Sequence, residues 1–162
     1  MRKTYRRGLP LLALFFAIIF TAQPAWASAS SPWRYDLTVW VNDPSYTANM
    51  CERAAILDTA VNLANVQTHS TSSCTSSSLN VPSGYLGSNA YGYRDGSFCG
   101  SSGNYYSSTA TWGFQVSYQA CSNPAGTQTF YTIGYDAIYN DGSGGGAVGY
   151  NWFSQSSPSQ NY

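Results

Sequence analysis

Lysine occurs once in the 162 residues, at Lys3, and histidine once, at His69. Charged residues make up 9% of the chain. A lone histidine excludes both the histidine pair of many nucleases and a three-histidine metal centre. Beyond residue 27 the basic residues are Arg34, Arg53 and Arg94. They face Asp36, Asp43, Glu52, Asp58, Asp95, Asp136 and Asp141, three against seven, a net charge of −4 with His69 neutral. Nucleic-acid binding draws most of its affinity from Lys and Arg on phosphates, so nucleic acid is not an expected partner. An anionic membrane surface is disfavoured for the same reason. No C-x-x-C spacing is present, which argues against zinc, and no N-x-S/T sequon offers an N-glycan acceptor.

The one long apolar run, Leu11 to Phe20, is too short to span a bilayer, which takes about 20 residues. Arg2, Lys3, Arg6 and Arg7 precede it and Ala25-Trp26-Ala27 follows. Together they read as a signal peptide over residues 1–27, cleaved after Ala27. The remainder is expected to be secreted, extracellular or periplasmic, without membrane insertion. Residues 28–155 are read as a single domain and 156–162 as a flexible tail.

What is plentiful is aromatic: 14 Tyr, 7 Phe and 5 Trp, set among Ser, Gly, Asn and Thr. Low charge with many aromatics departs from the composition of disordered chains. Cys51, Cys74, Cys99 and Cys121 form an even set, so two disulfides are expected outside the cell. Local pairing, Cys51–Cys74 and Cys99–Cys121, closes two loops of about 22 residues, each worth about 3 kcal/mol in the chain-entropy model.

The pattern along the chain predicts an α+β fold: an antiparallel β-sheet, a meander plus an N-terminal strand, packed against one amphipathic helix. "WRYDLTVWVN" alternates as a strand, with Leu37, Val39 and Val41 on one face and Arg34, Asp36 and Trp40 on the other. Asp43-Pro44 suits a helix start. Met50, Ala54, Leu57, Val61 and Ala64 then recur at helical spacing over 47–66. "YGYRDGSFC" reads as a hairpin, because Asp95-Gly96 suits a type I′ turn. Three alternating stretches, 109–120, 127–139 and 147–153, read as the meander, with turns at 122–126 and at "NDGSGGG". In the first, Trp112, Phe114 and Val116 are expected to be buried under the helix, and Thr111, Gln115 and Ser117 to be wet.

Several residues could carry chemistry. His69 could act as a base beside a serine, and Asp36 with Asp136 could act as paired carboxylates of a glycosidase. In a tract as hydroxyl-rich as "QTHSTSS" proximity means little, and among seven acids some pair is unavoidable. "NDGSG" has too few acids for a calcium loop and reads as a turn. No cofactor is expected. The aromatics of strand 1 and of the glycine-rich loops, Trp40, Tyr85, Tyr91, Tyr93, Tyr105 and Tyr106, are the candidate binding residues, since Tyr, Ser, Gly and Asn on loops make large contacts at low entropy cost. Tyr118, Tyr131 and Tyr135, on strands, are read as packing. The expected function is non-catalytic binding of an extracellular glycan or protein, with a secreted hydrolase or a self-assembling surface protein as alternatives.

Overall fold

The computed structural model describes residues 28–41, 43–57, 60–122 and 127–162. The expected signal peptide lies outside the described residues, as does most of the turn at 122–126. Every element is a strand: β1 (Ala29–Ser30), β2 (Arg34–Val41), β3 (Asp43–Leu57), β4 (Val61–His69), β5 (Leu86–Arg94), β6 (Ser97–Ser101), β7 (Tyr105–Tyr106), β8 (Gly113–Tyr118), β9 (Thr129–Asn140), β10 (Gly149–Ser156) and β11 (Gln160–Asn161). They form two antiparallel sheets packed face to face. In the first, β3 pairs with β1 and β2 on one side and with β4 on the other, and β8 lies beyond β4. In the second, β9 pairs with β10 and β11 on one side and β5 on the other, with β6 and β7 along the outer edge of β5.

The α+β expectation is therefore wrong: no helix occurs among the described residues. The stretch read as a helix forms the end of β3 and most of β4, paired from Asn49↔His69 to Leu57↔Val61. Its true period is two. Ala48, Met50, Ala54 and Ile56 alternate into the interior from β3, and Ala64 and Val66 from β4. That alternation is hidden because Glu52, Asn62 and Thr68 occupy interior positions of the same set and are themselves buried. Leu57 and Val61, counted on the helix's apolar side, are half-buried at the turn. Tertiary packing overrides the helix preference of Ala and Leu.

The meander is also redrawn. β9 and β10 pair as expected, with Tyr139 opposite Tyr150, but β8 joins the other sheet, with Val116 opposite Ala64. The chain thus crosses between sheets after β8, and Cys121 sits in that crossing, bonded to Cys99 of β6. The second bridge is Cys51–Cys74, which pins the Ser/Thr-rich loop to β3. Both pairings match the local-loop expectation. So does the β5–β6 hairpin, where Asp95 and Gly96 have φ of 49° and 80°, as a type I′ turn requires.

Two apolar clusters fill the interior. Met50, Val66, Leu86 and Ile138 anchor one; Ile56, Cys121 and Phe130 anchor the other. Between them the sheets approach closely over small residues. A β-carbon on Gly134 would stand 3.1 Å from that of Ala64 and 3.3 Å from that of Ala54. At Gly92 it would stand 2.4 Å from Asn62 Oδ1, which accepts the Ala120 N–H. Asn62 also donates to Thr132 Oγ1 across the sandwich at 2.8 Å, so a polar side chain is tolerated there because its amide is satisfied.

Candidate functional site

The residues that could have supported hydrolysis are structural. His69 is 4% exposed. Its Nδ1 lies 2.9 Å from the Ser76 carbonyl, which only accepts, so Nδ1 carries the hydrogen, and Nε2 meets the Gln67 amide at 3.3 Å. It fastens the loop that Cys74 ends. Asp36 and Asp136 lie between the sheets, where a polymer does not reach. A bulge in β2 between Tyr35 and Leu37 turns Asp36 inward, although plain alternation places it with the solvent face. Arg34 donates to Asp36 at 2.9 Å and also pairs with Glu52, which is completely buried. Asp136 accepts the Ser88 hydroxyl at 2.5 Å.

Three carboxyls share one guanidinium here, and two of them, Glu52 and Asp136, hold their protons at neutral pH. Burial, reinforced by the charges of Asp36 and Asp136, pushes Glu52 up to about 8. Burial, with the charge of Asp36 adding to it, pushes Asp136 up to about 8 against the bonds from Ser88 and the Asn65 backbone, and burial raises Asp36 despite Arg34. A proton on Glu52 makes it a donor to Asp36; without it, Asp36 Oδ2 and Glu52 Oε2 have no hydrogen-bond partner.

The aromatics assemble elsewhere, on the outward face of the second sheet. β9 turns Tyr131, Ile133, Tyr135 and Tyr139 outward while Phe130, Thr132, Asp136 and Ile138 are buried; Ala137, in the alternating set of the tyrosines, is buried too. At the turn end, Tyr93 stacks on Tyr131 across the strands, with centroids 4.8 Å apart and planes 5° apart. Tyr91 meets Tyr135 at 4.7 Å, and Phe98 of β6 rests against both Tyr91 and Tyr93.

At the far end a second set of rings is in mutual contact. Tyr150 touches Tyr139 at 5.1 Å and Tyr106 at 4.7 Å. Tyr106 and Trp152 close over Gly87, where an added β-carbon would lie 3.1 Å from one ring and 3.3 Å from the other. From Tyr131 to Tyr139 the face runs about 27 Å along β9, eight residues of strand. Its outward positions on β5, β9 and β10 carry no charged side chain between Gly87 and Tyr93, Tyr131 and Tyr139, or Tyr150 and Ser156. Burial and neighbouring tyrosines raise Tyr93 and Tyr150 further above the ordinary phenol range, so the face is neutral. At its border Tyr85 donates to Asp141 at 2.9 Å and is pushed up to about 12 by burial and that bond.

Of the six candidate binding residues, Tyr91, Tyr93 and Tyr106 belong to this face, and Tyr85 joins its border edge-on through Tyr139. Trp40 lies elsewhere, its indole against the backbone of Gly144, so that the "NDGSGGG" turn is seated on it. That turn closes on itself through Asn140 and Asp141, which accept the N–H groups of Gly142 and Ser143. Tyr105 points away from Tyr106 and lines a shallow groove with Phe114 and Tyr118. Sequence reasoning missed Phe98, Tyr139, Tyr150 and Trp152 and assigned Tyr131 and Tyr135 to packing. The alternation Tyr131, Tyr135, Tyr139 and Tyr150, Trp152 was the available signal. Trp112, expected in the core, is 43% exposed, because regular pairing of β8 begins only at Gly113.

What the fold and face define is a disulfide-stapled, all-β sandwich with an exposed, uncharged aromatic sheet. Comparison with known protein families, curated proteins and solved structures returned no match.

Proposed function

We propose that the protein is an exported binding module that holds a neutral, hydroxyl-rich polymer, a glycan of a cell wall or matrix, against the outward face of its second sheet. The observation that carries this reading is that face: contiguous rings without charge, with Phe98 56%, Tyr106 41% and Tyr150 36% exposed. Exposed aromatic patches of this extent on soluble proteins mark interaction surfaces. Ring faces take up the C–H faces of sugars, and phenol hydroxyls meet their hydroxyls. The flat, extended form suits a chain better than a small molecule, which favours a concave site. Export agrees with the basic-apolar-small pattern of residues 1–27 and with two disulfides and no free thiol.

The test is retention on a panel of insoluble neutral polysaccharides. Wild type is retained on at least one of them. The double variant Tyr150→Ala/Trp152→Ala loses at least about 30-fold in affinity, since interface aromatics that matter contribute about 1–2 kcal/mol each. Its thermal midpoint falls by only a few degrees, for the contacts of Tyr150 with Tyr139 and of Trp152 over Gly87, and the fold is retained because neither ring belongs to the two interior clusters. Absence of wild-type retention on every polymer, or equal retention of the variant, refutes the reading.

A further inference from the structure

The other sheet carries a site of different form. Over β4 and β8 its outward surface holds a groove of about 330 Å³ lined by Asn65, Gln67, Thr111, Trp112, Gly113 and Gln115. That volume falls within the range of small-ligand sites. We infer that this groove is a second binding site and takes a single neutral pyranose residue. It shares no residue with the aromatic face and stands or falls separately from it.

The groove is built and held in place. The Trp112 carbonyl accepts the backbone N–H of Thr68 at 2.8 Å, and the Thr68 hydroxyl beside it donates to the Leu79 carbonyl at 2.7 Å. Thr111 pairs with Val81 in both directions, at 2.9 and 3.0 Å, and its hydroxyl donates to the Gly113 carbonyl. The backbone on both sides of the tryptophan is thus fixed while its indole is left at the surface. A large apolar ring held outside the core by two sets of hydrogen bonds is available for contact.

The polar lining is amide. Asn65 Nδ2 donates to Gln115 Oε1 at 3.2 Å, which leaves Asn65 Oδ1 as an acceptor and Gln115 Nε2 as a donor toward the groove. His69 holds one end of the Gln67 amide, and the other end remains for a ligand. No charged side chain lines the groove, so it offers nothing to an ionic ligand. A pyranose presents a C–H face to an indole and adjacent hydroxyls, each both donor and acceptor, to neighbouring amide ends. That is the chemistry assembled here.

The fold also supplies a clean blocking variant. Gly113 sits opposite Gln67 on the groove floor, and its φ is not left-handed. A β-carbon there would lie 3.6 Å from Gln67 Cγ and 3.7 Å from the Val66 carbonyl, ordinary contacts. Gly113→Val therefore fills the groove without disturbing the strand. The experiment adds millimolar glucose, galactose, mannose or N-acetylglucosamine to the protein. It reads saturation transfer to the sugar and the indole N–H shift of Trp112. At least one sugar moves the Trp112 signal; Gly113→Val and Trp112→Ala each weaken its binding at least tenfold; Tyr150→Ala/Trp152→Ala leaves it unchanged. No shift with any sugar, or undiminished binding in Gly113→Val, overturns the assignment. Either result leaves the polymer-retention test untouched.

Discussion

The thermal midpoint falls by at least about 12 °C as pH rises from about 5 to about 9, the reverse of ordinary acid denaturation. Glu52 and Asp136 hold their protons up to about 8 in the folded chain. In the unfolded chain they release them near pH 4. Between those values the folded state binds more protons than the unfolded one, so stability decreases with pH. It is at its full value below the unfolded pKa and is lost as pH climbs through about 8. Each extra proton held over three pH units corresponds to about 4 kcal/mol, and a domain of this size shifts by about 3 °C per kcal/mol, so one of the two groups alone accounts for about 12 °C.

Asp136→Asn isolates the effect. The amide still accepts the Ser88 hydroxyl, yet it carries no charge at any pH. Its midpoint declines less steeply than wild type above neutrality, and Glu52→Gln behaves likewise. A wild-type midpoint that rises between about pH 5 and pH 9 contradicts the protonated centre.

Removal of either disulfide costs about 3 kcal/mol, read as a drop of about 10 °C in midpoint. The bridges span sequence separations of 23 and 22 residues, so loop-closure entropy makes their contributions nearly equal. Their structural roles differ. Cys99–Cys121 ties an edge strand of the second sheet to the crossing that leaves the first. Cys51–Cys74 ties a surface loop to a central strand. Cys99→Ala/Cys121→Ala therefore speeds amide exchange in β6 and β8, whereas Cys51→Ala/Cys74→Ala speeds it in residues 70–78. A loss below about 1 kcal/mol in both variants contradicts the stapling role.

Local devices were legible in the sequence because their physics is local. The cysteine pairing follows from loop length, and the Asp95-Gly96 turn from its demand for positive φ. The partner of a strand is not local: alternation over 109–120 shows which residues share a face but not that β8 pairs with β4. The helix over 47–66 was misread because Glu52, Asn62 and Thr68 break the apolar alternation at interior positions, where Arg34, Thr132 and the Leu79 carbonyl satisfy them.

The site was half legible for a related reason. In β9 the more aromatic set of alternating residues, with Tyr131, Ile133, Tyr135 and Tyr139, faces outward. The set containing Thr132, Gly134 and Asp136 faces inward. Hydrophobic pattern alone assigns these faces the other way round. That inversion is tolerated because Asp136 is protonated and bonded to Ser88, and it places a large aromatic area on the surface.

Hydroxyl-radical footprinting of the protein, alone and on a polysaccharide that retains it, tests the central claim most directly. The account predicts that oxidation of Phe98, Tyr106, Tyr150 and Trp152 falls on binding while that of Tyr35 and Tyr118, exposed on the opposite sheet, does not change. Protection of Tyr35 and Tyr118 with Tyr150 and Trp152 still fully reactive would contradict it.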